Sequence, residues 1–123
     1  FPDLEKAIYR LREKWKADLV IVEKAGSGHS VGQNIRRADL RNVWLQALTP
    51  VGSKQDRASQ QTPKFERGEI LLPEEAPWLR AFEEEFLSFP HARHDDQVDS
   101  VVQFLAALDT GNLLRFADGA RRR

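Results

Sequence analysis

Apolar residues recur at Leu4, Ala7, Ile8, Leu11 and Trp15, the three-and-four spacing of one helix face, so residues 3–16 are expected to form an amphipathic helix packed by that stripe. Leu19-Val20-Ile21-Val22 breaks the period. An unbroken run of β-favouring residues predicts a short strand covered on both faces, with Glu23 at its end. The turn Ala25-Gly26-Ser27-Gly28 then leads to Ser30, a cap for a second helix through about Leu40 that carries Val31, Ile35 and Ala38. A second strand, Val43 to Leu48, stops at Thr49-Pro50. Strand, helix and strand in that order imply a right-handed parallel crossover, hence an α/β sheet.

Further along, Ser53-Lys54-Gln55-Asp56 has the form of a capping box with Asp in the Glu position, which predicts a short helix to about Gln60. After Pro63, Glu69-Ile70-Leu71-Leu72 reads as a third strand ended by Pro73. Trp78, Leu79, Phe82, Phe86 and Phe89 form an aromatic stripe at helical spacing, with Glu83, Glu84 and Glu85 turned outward. Its period marks the stripe as core rather than a base-stacking platform. Pro90 ends that helix. The last helix buries Val98, Val101, Val102, Leu105 and Leu108 and stops at Asp109-Thr110-Gly111-Asn112, leaving residues 109–123 as a loosely held tail.

The length of 123 residues suits a single domain spanning 1–123. With 41% hydrophobic and 31% charged residues and no long apolar run, a globular chain without a membrane span is expected. No Cys is present, which excludes disulfides and thiolate chemistry. The chain contains no Met, opens on Phe1 and begins with nothing resembling a signal peptide, so we expect an excised domain of an intracellular protein. The formal charge is zero, which argues against a strongly basic nucleic-acid binder. Its distribution is uneven. Between His29 and Arg67 the bases Arg36, Arg37, Arg41, Lys54, Arg57, Lys64 and Arg67 outnumber Asp39, Asp56 and Glu66, whereas acids dominate from Glu74 to Asp99. Such asymmetry suits a chain that grips a polyanion with one region and holds cations with another; solvated helix faces are the plainer explanation.

The candidate chemistry gathers at His94-Asp95-Asp96-Gln97-Val98-Asp99, where carboxylates stand at the mouth of an apolar helix. Asp95 lies three and seven residues before Val98 and Val102, which puts it near the edge of the buried stripe. Two readings stay open: Asp95 or Asp96 caps the helix, or the group binds a divalent metal through hard oxygen ligands. Glu23 leaves a strand where open α/β sheets place functional groups, and a carboxylate there calls for a metal or an Arg partner. The turn Gly26-Ser27-Gly28-His29-Ser30-Val31-Gly32 is no phosphate loop: its third Gly comes one residue late for a dinucleotide fingerprint, and no Gly-Lys-Ser/Thr follows. His29, His91 and His94 form no i, i+4 zinc pair. No Ser sits in a nucleophile elbow.

Taken in order, Leu19-Val20-Ile21-Val22-Glu23-Lys24 with Gly26 and Gly28, Lys54-Gln55-Asp56-Arg57-Ala58, Phe65-Glu66-Arg67-Gly68, Leu71-Leu72-Pro73, Phe89-Pro90 and His94 to Asp99 resemble the C-terminal nuclease domain of tailed-phage terminase large subunits. The resemblance covers about residues 15–108. It implies an α/β, ribonuclease H-like fold with three layers and helices packed on a small mixed sheet, here partial because the family's opening β-hairpin strands would precede Phe1. It implies a metal-dependent endonuclease that cuts concatemeric double-stranded viral DNA during genome packaging, with Mg2+ or Mn2+ in a two-metal site. Glu23, Asp95 and Asp96 take the catalytic and metal-binding positions, with Asp99 and His94 as further metal candidates and Lys54 and Arg57 as DNA contacts.

The same resemblance implies an N-terminal ATPase domain in the parent chain, a terminase small subunit and a portal protein as partners, no membrane, and the cytoplasm of a bacterial host. Because the family's first acid lies on the opening strands, the 123 residues alone are expected to be inactive. Two other classes stay in view: another ribonuclease H-like nuclease such as a resolvase or transposase core, and a non-catalytic α/β module that binds a partner.

Overall fold

Residues 2–23, 44–48 and 50–109 are described by a computed structural model, in which the chain divides after Val51 into two units, Phe1–Val51 and Gly52–Arg123. The first unit opens with α1 (Pro2–Trp15). Pro2 fits a first helical turn, where its missing N–H is no loss, while Asp3 and Glu5 at the start and Arg12 and Lys14 near the end oppose the helix dipole. Lys16, at φ 51°, ends the helix in a left-handed conformation.

The expected packing stripe of α1 is displaced. Leu4, Leu11 and Trp15 are exposed, and the half-buried positions include Glu5, Ile8, Tyr9 and Arg12, which follow the same helical spacing about one residue round the helix. Long amphipathic side chains cover apolar surface with their stems, so counting only apolar residues misplaces the packed face. Trp15 carries the Lys14 ammonium 5.0 Å from its ring centroid.

Strands β1 (Leu19–Glu23) and β2 (Trp44–Leu48) pair in parallel, with Leu19 opposite Trp44 and Glu23 opposite Leu48. The parallel pairing of the two strands expected from the order of elements is therefore present. Every residue of β1 is half-buried, on both faces of the strand. The Gly26 to Gly32 turn, His29, and the helix expected from Ser30 to Leu40 lie outside the described residues.

The second unit begins with a left-handed Gly52 at φ 78°, which delivers Ser53 as the N-cap of α2 (Lys54–Glu66). The capping box is complete: the Ser53 hydroxyl accepts from the Asp56 N–H at 3.1 Å, and the Asp56 carboxylate accepts from the Ser53 N–H at 3.4 Å. The helix runs well past the expected end at Gln60, with Pro63 inside it. It stops at Gly68, at φ 72°, where Glu69 N–H bonds to the Lys64 carbonyl at 3.0 Å and Gly68 N–H to the Phe65 carbonyl at 3.1 Å. That pair of bonds is a Schellman cap, which needs the left-handed residue that glycine supplies.

The third strand expected at Glu69 to Leu72 is not formed. Residues 69–73 have no regular structure, with Leu71 and Leu72 exposed, and the sheet among the described residues is a parallel pair rather than the small mixed sheet expected. A short apolar run without alternation is an ambiguous signal, and here the run follows directly on the glycine cap and is cut by Pro73.

Helix α3 (Leu79–Ser88) then carries the aromatic stripe. The Phe82 and Phe86 rings lie 4.5 Å apart, Trp78 meets Phe82 edge-on at 5.6 Å, and Phe86 reaches Phe65 of α2 at 5.8 Å. These contacts bear out a packing role for Phe82 and Phe86, whereas no residue of α3 is fully buried and Trp78, expected in the core, is exposed. A cis Phe89-Pro90 bond follows, and α4 (Asp96–Asp109) closes the described chain. It packs on α2 and α3 and buries Val98, Val102 and Leu105, each worth about 1.5–3 kcal/mol of transfer free energy. Ala107 is buried as well, whereas Leu108, expected in the stripe, is exposed. Asp109 belongs to α4, and residues 110–123 of the expected tail lie outside the described residues.

Two ion-pair rungs set the relation of α2 to α4. Lys54 Nζ lies 2.7 Å from Asp99 Oδ2, and Lys64 Nζ lies 2.7 Å from Asp109 Oδ2. Start therefore meets start and end meets end, so the two helices run side by side in the same direction. No helix among the described residues is long and apolar enough to cross a membrane.

Candidate metal centre

Asp95 and Asp99 stand one helical turn apart at the start of α4, so their carboxylates share a face. Lys54, delivered by the Ser53 capping box, lies between them, with its ammonium 3.0 Å from Asp95 Oδ1 and 2.7 Å from Asp99 Oδ2. Both aspartates are partly buried, and the lysine is half-exposed. Hydrogen bonds from Lys54 to Asp99 and then Asp95 hold its charged form well above the usual lysine range, so the ammonium persists across neutral pH. Two like charges so close repel, and a cation between them offsets that repulsion.

Other sequence candidates are placed less centrally. Asp96 and His94 are exposed. Glu23 closes β1 in the first unit and is engaged in interactions of its own. Arg57 donates from Nη1 to the Gly52 carbonyl at 2.7 Å, and so braces the turn that starts α2. Among the described residues, no three His, Asp or Glu side chains are gathered as a complete metal-binding group. What the second unit provides is a seat of two carboxylates that already converge on one positive charge.

Capping explains the acidic cluster less well than expected. The N–H groups of Gln97 and Val98 donate to Oε1 of Glu85, at 2.6 and 3.1 Å, and the Gln97 side-chain amide donates to Oε2 at 2.6 Å. The side-chain cap of α4 is thus a glutamate from α3, and not a carboxylate of the cluster. Glu83 and Glu84 are exposed as expected, whereas Glu85 is turned inward. One signal was available in the chain: Glu85 lies three residues after Phe82 and four before Phe89, on the aromatic stripe itself. A carboxylate on an apolar face needs a donor.

Donor chemistry at this seat suits a hard divalent ion, since partly buried carboxylate oxygens are the ligands such ions favour. A two-metal centre needs more carboxylates than Asp95 and Asp99. No curated protein and no solved structure matches the chain. A family model described as terminase RNaseH-like domain matches residues 1–108, which take in both strands, the capping box of α2 and the acidic start of α4. The chain belongs to the terminase RNaseH-like domain family.

Proposed function

We propose that this chain is the metal-dependent endonuclease domain of a phage DNA-packaging terminase large subunit, which cleaves concatemeric double-stranded DNA. The observation that carries this reading is the convergence of Asp95 and Asp99 on a single positive charge at the start of α4, in a chain of the terminase family. Asp95 and Asp99 would hold Mg2+ or Mn2+, with Asp96 and His94 as outer donors; Glu23, which ends β1 in the first unit, takes the position of the family's acid on the strand. The bound ion supplies Lewis-acid stabilisation of phosphate charge and a more acidic water.

The chain's own residues prepare the seat. Lys54 holds the two carboxylates together, and if a metal ion held them instead, its half-exposed ammonium would be free to meet a DNA phosphate. Arg57 stabilises the turn from which Lys54 projects. The sequence carries no base-reading motif, so cutting is expected to follow the DNA backbone and the packaging partners rather than sequence. The finer architecture that goes with this function is a ribonuclease H-like sheet larger than the β1–β2 pair. The partners that go with it are double-stranded DNA, an ATPase domain, a small terminase subunit and a portal protein, in the cytoplasm of a bacterial host.

Because the 123 residues alone are expected to be inactive, plasmid nicking in Mn2+ by the full-length parent chain tests this reading. Loss of cutting in Glu23→Ala and in Asp95→Ala, with unchanged helical circular dichroism, is expected. Cutting at the wild-type rate in both variants would overturn the assignment.

A further inference from the structure

The backbone carbonyl of Asp95 accepts the N–H of Asp99 at 2.9 Å, the first bond of α4, which makes Asp95 the N-cap residue. An N-cap aspartate ordinarily turns its own carboxylate onto the second and third N–H groups of its helix. Those groups belong to Gln97 and Val98, and both are taken by Glu85. The Asp95 carboxylate faces Lys54 instead, 3.0 Å away.

We propose that Glu85 is a positioning residue of the acidic site: by capping α4 in place of Asp95, it keeps the Asp95 carboxylate beside Asp99, where the pair can receive a cation. This inference rests on the metal reading given above. Glu85 is no ligand itself, because both of its oxygens are engaged by Gln97 and Val98. Its negative charge sits at the positive end of the helix dipole, so the arrangement is stable without metal. When Glu85 is removed, Asp95 is the nearest replacement cap and swings away from Asp99. Stability then changes little, because one cap replaces another, while cation affinity falls. A cap with a purely structural role gives the opposite pattern, with stability lost and affinity kept in the molecules that remain folded.

The test is a Mn2+ titration of the wild-type chain, Glu85→Gln, Glu85→Asp and Glu85→Ala, with urea unfolding of each and the carboxylate carbon resonance of Asp95 recorded by NMR. Glutamine offers the same oxygen at the same reach, so Glu85→Gln is expected to bind Mn2+ within about threefold of wild type. Aspartate is one methylene short. Glu85→Asp and Glu85→Ala are expected to lose about tenfold or more in affinity, the usual cost of removing a group that orients a metal ligand, with urea midpoints near that of wild type. Wild-type affinity in Glu85→Asp and Glu85→Ala overturns the proposal, as does an equal loss in Glu85→Gln and Glu85→Asp. If Glu85→Ala does not fold, the Gln and Asp variants decide. If the wild type itself takes up no Mn2+, the metal reading fails and the Asp95 resonance decides the positioning role. A shift in Glu85→Asp but not in Glu85→Gln supports it, and an unmoved resonance in both refutes it.

Discussion

At one end of the paired helices α2 and α4, Lys64 meets Asp109; at the other, Lys54 meets Asp95 and Asp99. The chemistry is the same and the surroundings differ. At the Lys64 end the charges balance one to one, and the lysine side chain is only 17% exposed. Gln61, buried between them, donates to Asp109 at 3.2 Å and accepts from Lys64, so each polar group has a partner. At the Lys54 end two carboxylates share one ammonium that is 50% exposed, and Glu85 and Asp96 add negative charge nearby. Burial runs opposite ways at the two ends, since Asp109 is 55% exposed against 28% and 21% for Asp95 and Asp99; what separates the ends is charge, balanced at Lys64 and in negative surplus at Lys54. The difference teaches where, in two similar rungs, function is to be sought.

This contrast can be broken in stages. The largest effect is expected from Leu105→Ala, which removes a core side chain 3% exposed and costs about 2–5 kcal/mol in urea unfolding. A loss below about 1 kcal/mol would show that α4 is not packed as described. Next comes Gln61→Ala, expected to cost about 1–3 kcal/mol because it leaves Lys64 and Asp109 without their shared buried amide, while Mn2+ affinity stays at the wild-type value. Lys54→Ala reverses that pattern: a small change in urea midpoint, but weaker binding of duplex DNA and a shallower dependence of that binding on salt.

A finer test uses acid. Hydrogen bonds from Lys64 and then Gln61 hold the Asp109 carboxyl below the usual aspartate range. A lowered folded-state value adds stability that is fully present above the usual range and is lost as pH falls through the lowered one. Asp109→Asn is therefore expected to flatten the acid limb of urea midpoint against pH and to leave the neutral limb parallel to wild type. An unchanged acid slope would assign the limb to other carboxylates. Glu13, held low by Arg12 and Lys16, and Glu69, held low by Arg67, remain in that variant.

Much of this organisation was legible in the chain, for reasons that lie in local physics. The Ser53 to Asp56 box, the Val98, Val102 and Leu105 stripe and the Glu-ended strand Leu19–Glu23 follow from short-range spacing, and all are present. Failures came where a distant group decided the outcome. Helix α2 passes through Pro63, which costs a helix interior about 3 kcal/mol, since the proline lies near the end and Phe65 beyond it packs on Phe86. The Ile70 to Leu72 run lost its strand assignment because no neighbour pairs with it among the described residues. In the candidate site, Asp95 was legible, but its partnership with Asp99 required Lys54 from another helix. Apart from its place on the aromatic stripe, nothing local distinguishes Glu85 from the solvated Glu83 and Glu84 beside it, because its donors come from another helix.

The central claim is that the Lys54 end, and not the Lys64 end, is a seat for a divalent cation. Electron paramagnetic resonance of Mn2+ titrated into the wild type, Asp95→Asn and Asp109→Asn tests it directly, because one carboxylate is neutralised in turn at each end. The account predicts that bound Mn2+ is lost in Asp95→Asn and retained in Asp109→Asn. Equal Mn2+ uptake by all three proteins would contradict it.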